Sequence, residues 1–112
     1  MSQATTLILL SQTPFGQGPN ITGTKQPAAS YYLGGADLQT VTWSFTSVTA
    51  TVNIQASLAE NPTSNDWFNV LEITGSELTQ ISYQNINGNF VWLRAAVSGF
   101  TAGVIQFIKV SY

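Results

Sequence analysis

From Thr40 to Leu58 the chain alternates polar and apolar residues with a period of two, and that rhythm excludes most folds. Val41, Trp43 and Phe45 alternate with Thr40, Thr42, Ser44 and Thr46. Val52, Ile54, Ala56 and Leu58 then alternate with Thr51, Asn53, Gln55 and Ser57. Successive side chains point to opposite sides only in an extended strand, so each run predicts a strand with one dry and one wet face. The stretch Thr46-Ser47-Val48-Thr49 between them is short enough for a hairpin. It predicts that the two runs pair antiparallel over one core.

The remainder of the chain repeats the theme. A short strand is expected at Leu7–Leu10, another at Trp67–Ile73 with large apolar groups on both faces, and a weaker one over residues 79–86. Asn87-Gly88 is the strongest turn signal, a dipeptide suited to a type I′ hairpin. Strands over 89–97 and 104–112 complete the set. No stretch carries a convincing helical period; Ser76 to Gln80 has room for one turn at most. Residues 11–30 hold three of the four prolines and several glycines, and predict an extended N-terminal arm or long loop. The whole, residues 1–112, predicts one all-β domain. It is expected to be an antiparallel β-sandwich of seven or eight strands, jelly-roll or Ig-like. Its expected core is Val41, Trp43, Phe45, Val52, Ile54, Leu58, Leu93, Val97, Ile108 and Val110.

Composition then narrows function. Charged residues make up 7% of the chain, where an ordinary soluble domain has roughly 25%. With 44% hydrophobic residues the chain is nonetheless rich enough to build a core. Its surface must be wetted by Thr, Ser, Asn and Gln, which repel neighbouring copies weakly. Lys25, Arg94 and Lys109 are the whole basic inventory, too little for a phosphate backbone, so no nucleic-acid partner is expected. The apolar run Leu7–Leu10 is far too short to span a bilayer, and neither a signal peptide nor a membrane partner is predicted. With no cysteine, neither disulfides nor thiol chemistry is available.

Catalysis finds little to work with. Histidine and cysteine are both absent, which removes the usual general base and the thiol nucleophile. Glu60 and Asp66 flank one loop, as a glycosidase pair or a calcium site would require, but two acids at a loop's ends are more often solvating charges. No enzyme, metal or cofactor is expected. Sugar binding is the better-equipped alternative: Trp43, Trp67 and Trp92, with Tyr31, Tyr32 and Tyr83, offer a flat platform bordered by amides, the equipment of carbohydrate-binding sandwiches, with Trp67, Asn65 and Asp66 as the candidate glycan contact.

The single arginine sits in GNFVWLRAAVSGF, residues 88–100. Alternation there places Val91, Leu93, Ala95 and Val97 on the core face, and Phe90, Trp92, Arg94 and Ala96 on the other. An outward Phe90–Trp92 stripe beside Arg94 predicts a contact surface, the guanidinium stacking on a cross-strand aromatic or pairing with Asp66 or Glu72. Tyr31 and Tyr32, at the end of the arm, join the expected contact.

Taken together, YYLGGADLQTVTWSFTSVTATVNIQASLAENPTSNDWFNV and GNFVWLRAAVSGFTAGVIQFIKVSY resemble small virion structural proteins of contractile-tailed phages that infect marine cyanobacteria. The likeness runs from the TGTKQPAASYYLGG segment to Tyr112. It rests on the Tyr31-Tyr32-Leu33-Gly34 turn, the Val41–Phe45 strand, the Asn65-Asp66-Trp67-Phe68 loop exit and the Val91–Ala95 strand. These are strand and turn signatures. The resemblance implies a virion location, in a capsid decoration or a tail, fibre, collar or baseplate component. It further implies a homo-oligomer, by analogy a trimer, with other virion proteins as partners and a host glycan as a possible one. It supplies no catalytic residues.

Overall fold

The computed structural model describes residues 6–16, 18, 20–28 and 38–112. Tyr31 and Tyr32 lie outside the described residues. The architecture is all-β: β1 (Thr6–Leu10), β2 (Thr13–Pro14), β3 (Ile21–Thr22), β4 (Gln26–Pro27), β5 (Leu38–Ser57), β6 (Phe68–Asn87) and β7 (Trp92–Ser111). All pairings are antiparallel and belong to one sheet in the order β1-β7-β5-β6, with β2, β3 and β4 also laid along β7.

The connection from β6 to β7 dictates the shape. Asn87, the end of β6, pairs with Leu38 at the start of β5, whereas Trp92, the start of β7, pairs with Ser57 at its end. A straight strand of that length would be about 66 Å long, yet the link from 87 to 92 reaches about 18 Å at most. The two ends of β5 must therefore lie close together, and the sheet must be doubled over. The Cα extents, 39 × 34 × 17 Å, agree.

The fold line runs across every strand at one level. Register shifts interrupt β5 against both neighbours between Phe45 and Thr51. Ser47 and Glu77 have left-handed backbone (φ 52 and 51), and so do Gly99 and Gly103 on β7. On the β7 edge the gap between Pro14 and Ile21 falls at the same level. Bulges of this kind kink a strand and sharpen its twist. Gly103 has no room for a side chain: a Cβ there would lie 2.3 Å from the Ser47 carbonyl oxygen.

Cut at that line, the sheet becomes eight half-strands. One half orders 6–14, 104–111, 38–45 and 78–87; the other orders 21–27, 92–98, 50–57 and 68–75. Numbered along the chain these are 1-8-3-6 and 2-7-4-5, the strand order of a jelly roll. The arrangement is consistent with a sandwich made from a single folded sheet. The Tyr112 hydroxyl donates to the Pro27 carbonyl (2.7 Å), tying one half to the other.

Among the described residues there is no helix, and the buried side chains come from both halves. Val41, Ile105, Ile108 and Val110 from one half, and Val52, Ile54, Leu93 and Ala95 from the other, are all fully buried in one cluster. Full burial of such a residue stabilises by about 1.5–3 kcal/mol. All but one of the expected core residues are there; Leu58 is the exception, 60% exposed. It follows Ser57, the last residue of β5, where strand alternation no longer governs its direction.

Three sequence expectations are corrected. Thr46–Thr49 is no hairpin but the bend within continuous β5. Asn87-Gly88 is no tight turn between neighbours but the start of a crossover over β5, held by Val91 N–H on the Ser57 carbonyl (3.0 Å) and Ala28 N–H on the Val91 carbonyl (2.8 Å). Residues 13–14, 21–22 and 26–27 of the expected arm pair with the chain's own β7.

Candidate contact surfaces

Arg94 lies on the outer face of the half containing 92–98, between core residues Leu93 and Ala95. The antiparallel register puts it opposite Gln55, which in turn faces Asn69. The side chains follow that row. Arg94 Nε donates to Gln55 Oε1 (2.8 Å), and Gln55 Nε2 donates to Asn69 Oδ1 (3.1 Å). The guanidinium rests over the Trp67 ring, 4.2 Å from its centroid, a cation–π contact. The aromatic partner expected for Arg94 is thus Trp67, delivered by the loop before β6. Its polar partner is an amide and not Asp66 or Glu72. Burial alone, with no carboxylate contributing, pulls the Arg94 pKa down.

Trp92 is held in a similar way. Its indole N–H donates to the Glu60 carbonyl (3.0 Å), and the Lys25 ammonium lies 4.9 Å from its ring centroid. Trp67 and Trp92 are both half-buried, each with a cation over its ring. The two contacts clamp the 58–67 loop and the Lys25 segment onto β7. Phe90 is not part of an outward stripe. It precedes β7, lies on the crossover, and is buried in the core cluster with its ring edge-on to Phe68 at 5.9 Å.

Asp66 works inside its own loop. Its Oδ2 accepts from the Thr63 N–H (2.7 Å) and the Thr63 hydroxyl (3.0 Å), and both bonds hold its pKa below the ordinary carboxylate value. Asn65 is exposed at the tip of this turn. Among the described residues no three acids, histidines or cysteines converge as a metal site would require. One polar atom of this face stands out: Asn53 Oδ1 is buried without a hydrogen-bond partner, in the row between Ala96 and Glu72.

The other half presents a different surface; of the residues on it the sequence singled out only Tyr83, offered for a sugar platform with Trp67 and Trp92, which lie on the Arg94 half. Its outer rows run Phe107–Ser44–Ile81 and Ile8–Lys109–Thr42–Tyr83. Ile81 is 75% and Tyr83 65% exposed, and Ile8 is exposed as well. Lys109 folds back over Phe107, its ammonium 4.3 Å from the ring centroid, leaving Ile81 and Tyr83 open. These two sit on β6, which among the described residues pairs only with β5 and so forms an edge of the sheet. The signal was in the sequence: Ile81 and Tyr83 share a phase, opposite to that of Ile86.

Gln39 is the other residue the sequence reading missed. It is fully buried, and its amide nitrogen donates to the Ile86 carbonyl (3.2 Å), pinning the end of β6 where the crossover begins. Its phase with Val41 already pointed inward.

No protein-family model matches this chain, and no curated protein matches it at a significant level.

Proposed function

We propose that the chain is a non-enzymatic virion structural protein, a capsid decoration or a tail or fibre component, that acts by packing against copies of itself and other virion proteins. The observation that carries this reading is the exposed apolar pair Ile81 and Tyr83 at the open edge of one half-sheet, in a chain with 7% charged residues. Exposed apolar patches on sheets mark contact surfaces, and so few charges leave little repulsion between copies. The jelly-roll strand order supports the reading by analogy, since that order recurs in viral capsid domains as well as in lectins. The phage-protein resemblance of the sequence points the same way.

The test has two parts. Light scattering on a sizing column, across a dilution series, is expected to give a mass above that of one chain. Mass spectrometry of purified particles is expected to find the protein in constant proportion to the capsid protein. Its absence from purified particles overturns the reading.

One observation favours a second reading, a carbohydrate-binding module. The outer face around Gln55 and Asn69 is lined by amides, flanked by two tryptophans, and contains the unmatched Asn53 Oδ1. A sugar needs a free ring face to stack on, and a cation already occupies one face of each indole. Glycan-array binding that disappears in Trp67→Ala would favour this reading over assembly.

A further inference from the structure

The edge of β6 is unusual in what it lacks. Natural sheets protect an edge strand with charge, proline, a bulge or a short length, because its free N–H and C=O groups will template another strand. Residues 78–87, LTQISYQNIN, contain no charged residue, no proline and no glycine. The bulge and the two acids of β6 lie before this stretch: Glu72, and Glu77 with its left-handed backbone. The two most exposed large hydrophobic residues of the described chain, Ile81 and Tyr83, stand on the same stretch.

We infer that residues 78–87 pair edge to edge with the same segment of a second copy, antiparallel and about a two-fold axis at Ser82. This rests on the assembly reading and names its surface. The register follows from the side chains. Centred on Ser82, Ile81 faces Tyr83 of the other copy, and Tyr83 faces its Ile81. Leu78 then meets Ile86, Gln80 meets Gln84, and Glu77 meets Asn87 and not its own copy. Centred on Tyr83 instead, Ile81 would face Asn85; centred on Ile81, Tyr83 would face Thr79. Aromatic–β-branched cross-strand pairs stabilise a sheet, and only the Ser82 centre forms two of them. The pairing joins two four-stranded halves into one eight-stranded layer and sets the exposed Ile81 and Tyr83 of both copies side by side.

The absence of cysteine makes this directly testable. Directly opposed residues in an antiparallel pair have Cα atoms about 4.5 or 5.5 Å apart, inside the roughly 4.4–6.8 Å that a disulfide spans. Ser82→Cys is therefore expected to form a covalent dimer under mild oxidation at micromolar protein. Ser98→Cys, exposed on β7 away from this edge, is expected to form no cross-link. As a second route, Ile81→Lys places like charges across the axis. It is expected to abolish the dimer at every concentration where the wild type dimerises, with a melting temperature matching that of the wild type diluted to its monomer. If the wild type is oligomeric but Ser82→Cys does not cross-link and Ile81→Lys keeps its mass, the edge pairing is overturned and assembly stands on another surface. A wild type that stays monomeric throughout the dilution series overturns both.

Discussion

The two half-sheets carry aromatic and apolar residues in the same outward phase, yet treat them in opposite ways. On the half with Arg94, a loop and an N-terminal segment fold over β7, so that Trp67 and Trp92 each meet a cation and Trp92 also meets a backbone carbonyl. On the half with Tyr83, the strand is the last in the sheet and nothing among the described residues lies beyond it. Alternation decides which way a side chain points, but topology decides whether anything waits there. The first face is closed by its own chain, and the second is left for a neighbour.

The bend that creates both faces is where the contrast is easiest to break. Gly103→Ala would drive a Cβ to 2.3 Å from the Ser47 carbonyl oxygen and 2.5 Å from that of Thr46, at a φ of +91°. These are backbone atoms, with nothing flexible to move, so a loss of about 4 kcal/mol or more in urea unfolding is expected. Gly99 has a φ of +63°, and a Cβ added there would meet no atom within 4 Å. Gly99→Ala should lose only the left-handed backbone penalty, about 1–2 kcal/mol. Equal losses at the two positions would mean that the fold line is not held by this contact.

Trp92→Ala sharpens the comparison at the closed face. It removes a half-buried ring, the Lys25 contact and the bond to the Glu60 carbonyl, and is expected to cost about 2 kcal/mol with the solution mass unchanged. A fall in mass with stability intact would return the subunit contact to the 92–94 surface that the sequence suggested. Arg94→Lys is a finer probe. A lysine keeps the charge but loses the planar stack on Trp67 and the Nε bond to Gln55, so a loss of about 0.5–1 kcal/mol is expected in thermal melts.

These residues also show where the sequence was legible. The alternating runs placed Val41, Trp43, Phe45, Val52 and Ile54 in the core, because period two is a local property of the chain. Strand count was nearly readable too. What failed was continuity. Between Phe45 and Val48 the buried phase shifts from odd to even residues, and both a hairpin and a bulge produce that shift. Only the partners distinguish them: β6 and β7 flank both sides of the bend. Phe90 was misplaced for a similar reason, since its direction is set by the crossover and not by strand phase. For Arg94 the expected stacking was right in kind, but Trp67 belongs to a loop whose return path no local pattern announces.

The smallest effect belongs to Asp66 and separates the two faces by pH. The Thr63 N–H, and then the Thr63 hydroxyl, favour its ionised form and hold its pKa below the ordinary 3.8. A carboxyl depressed in the folded state contributes stability that is fully present above the unfolded value and is lost as pH falls through the folded one. Melting temperatures of the wild type and Asp66→Asn should therefore differ by a constant small amount near neutrality. They should converge as the pH drops below about 4. Asp66 lies in a solvent-facing turn, so the difference stays small. No carboxylate lies between Leu78 and Asn87, so the same titration should leave the solution mass of both proteins alone. A mass that fell in step with Asp66 protonation would tie assembly to the 63–66 turn and move the contact from the open edge to the closed face.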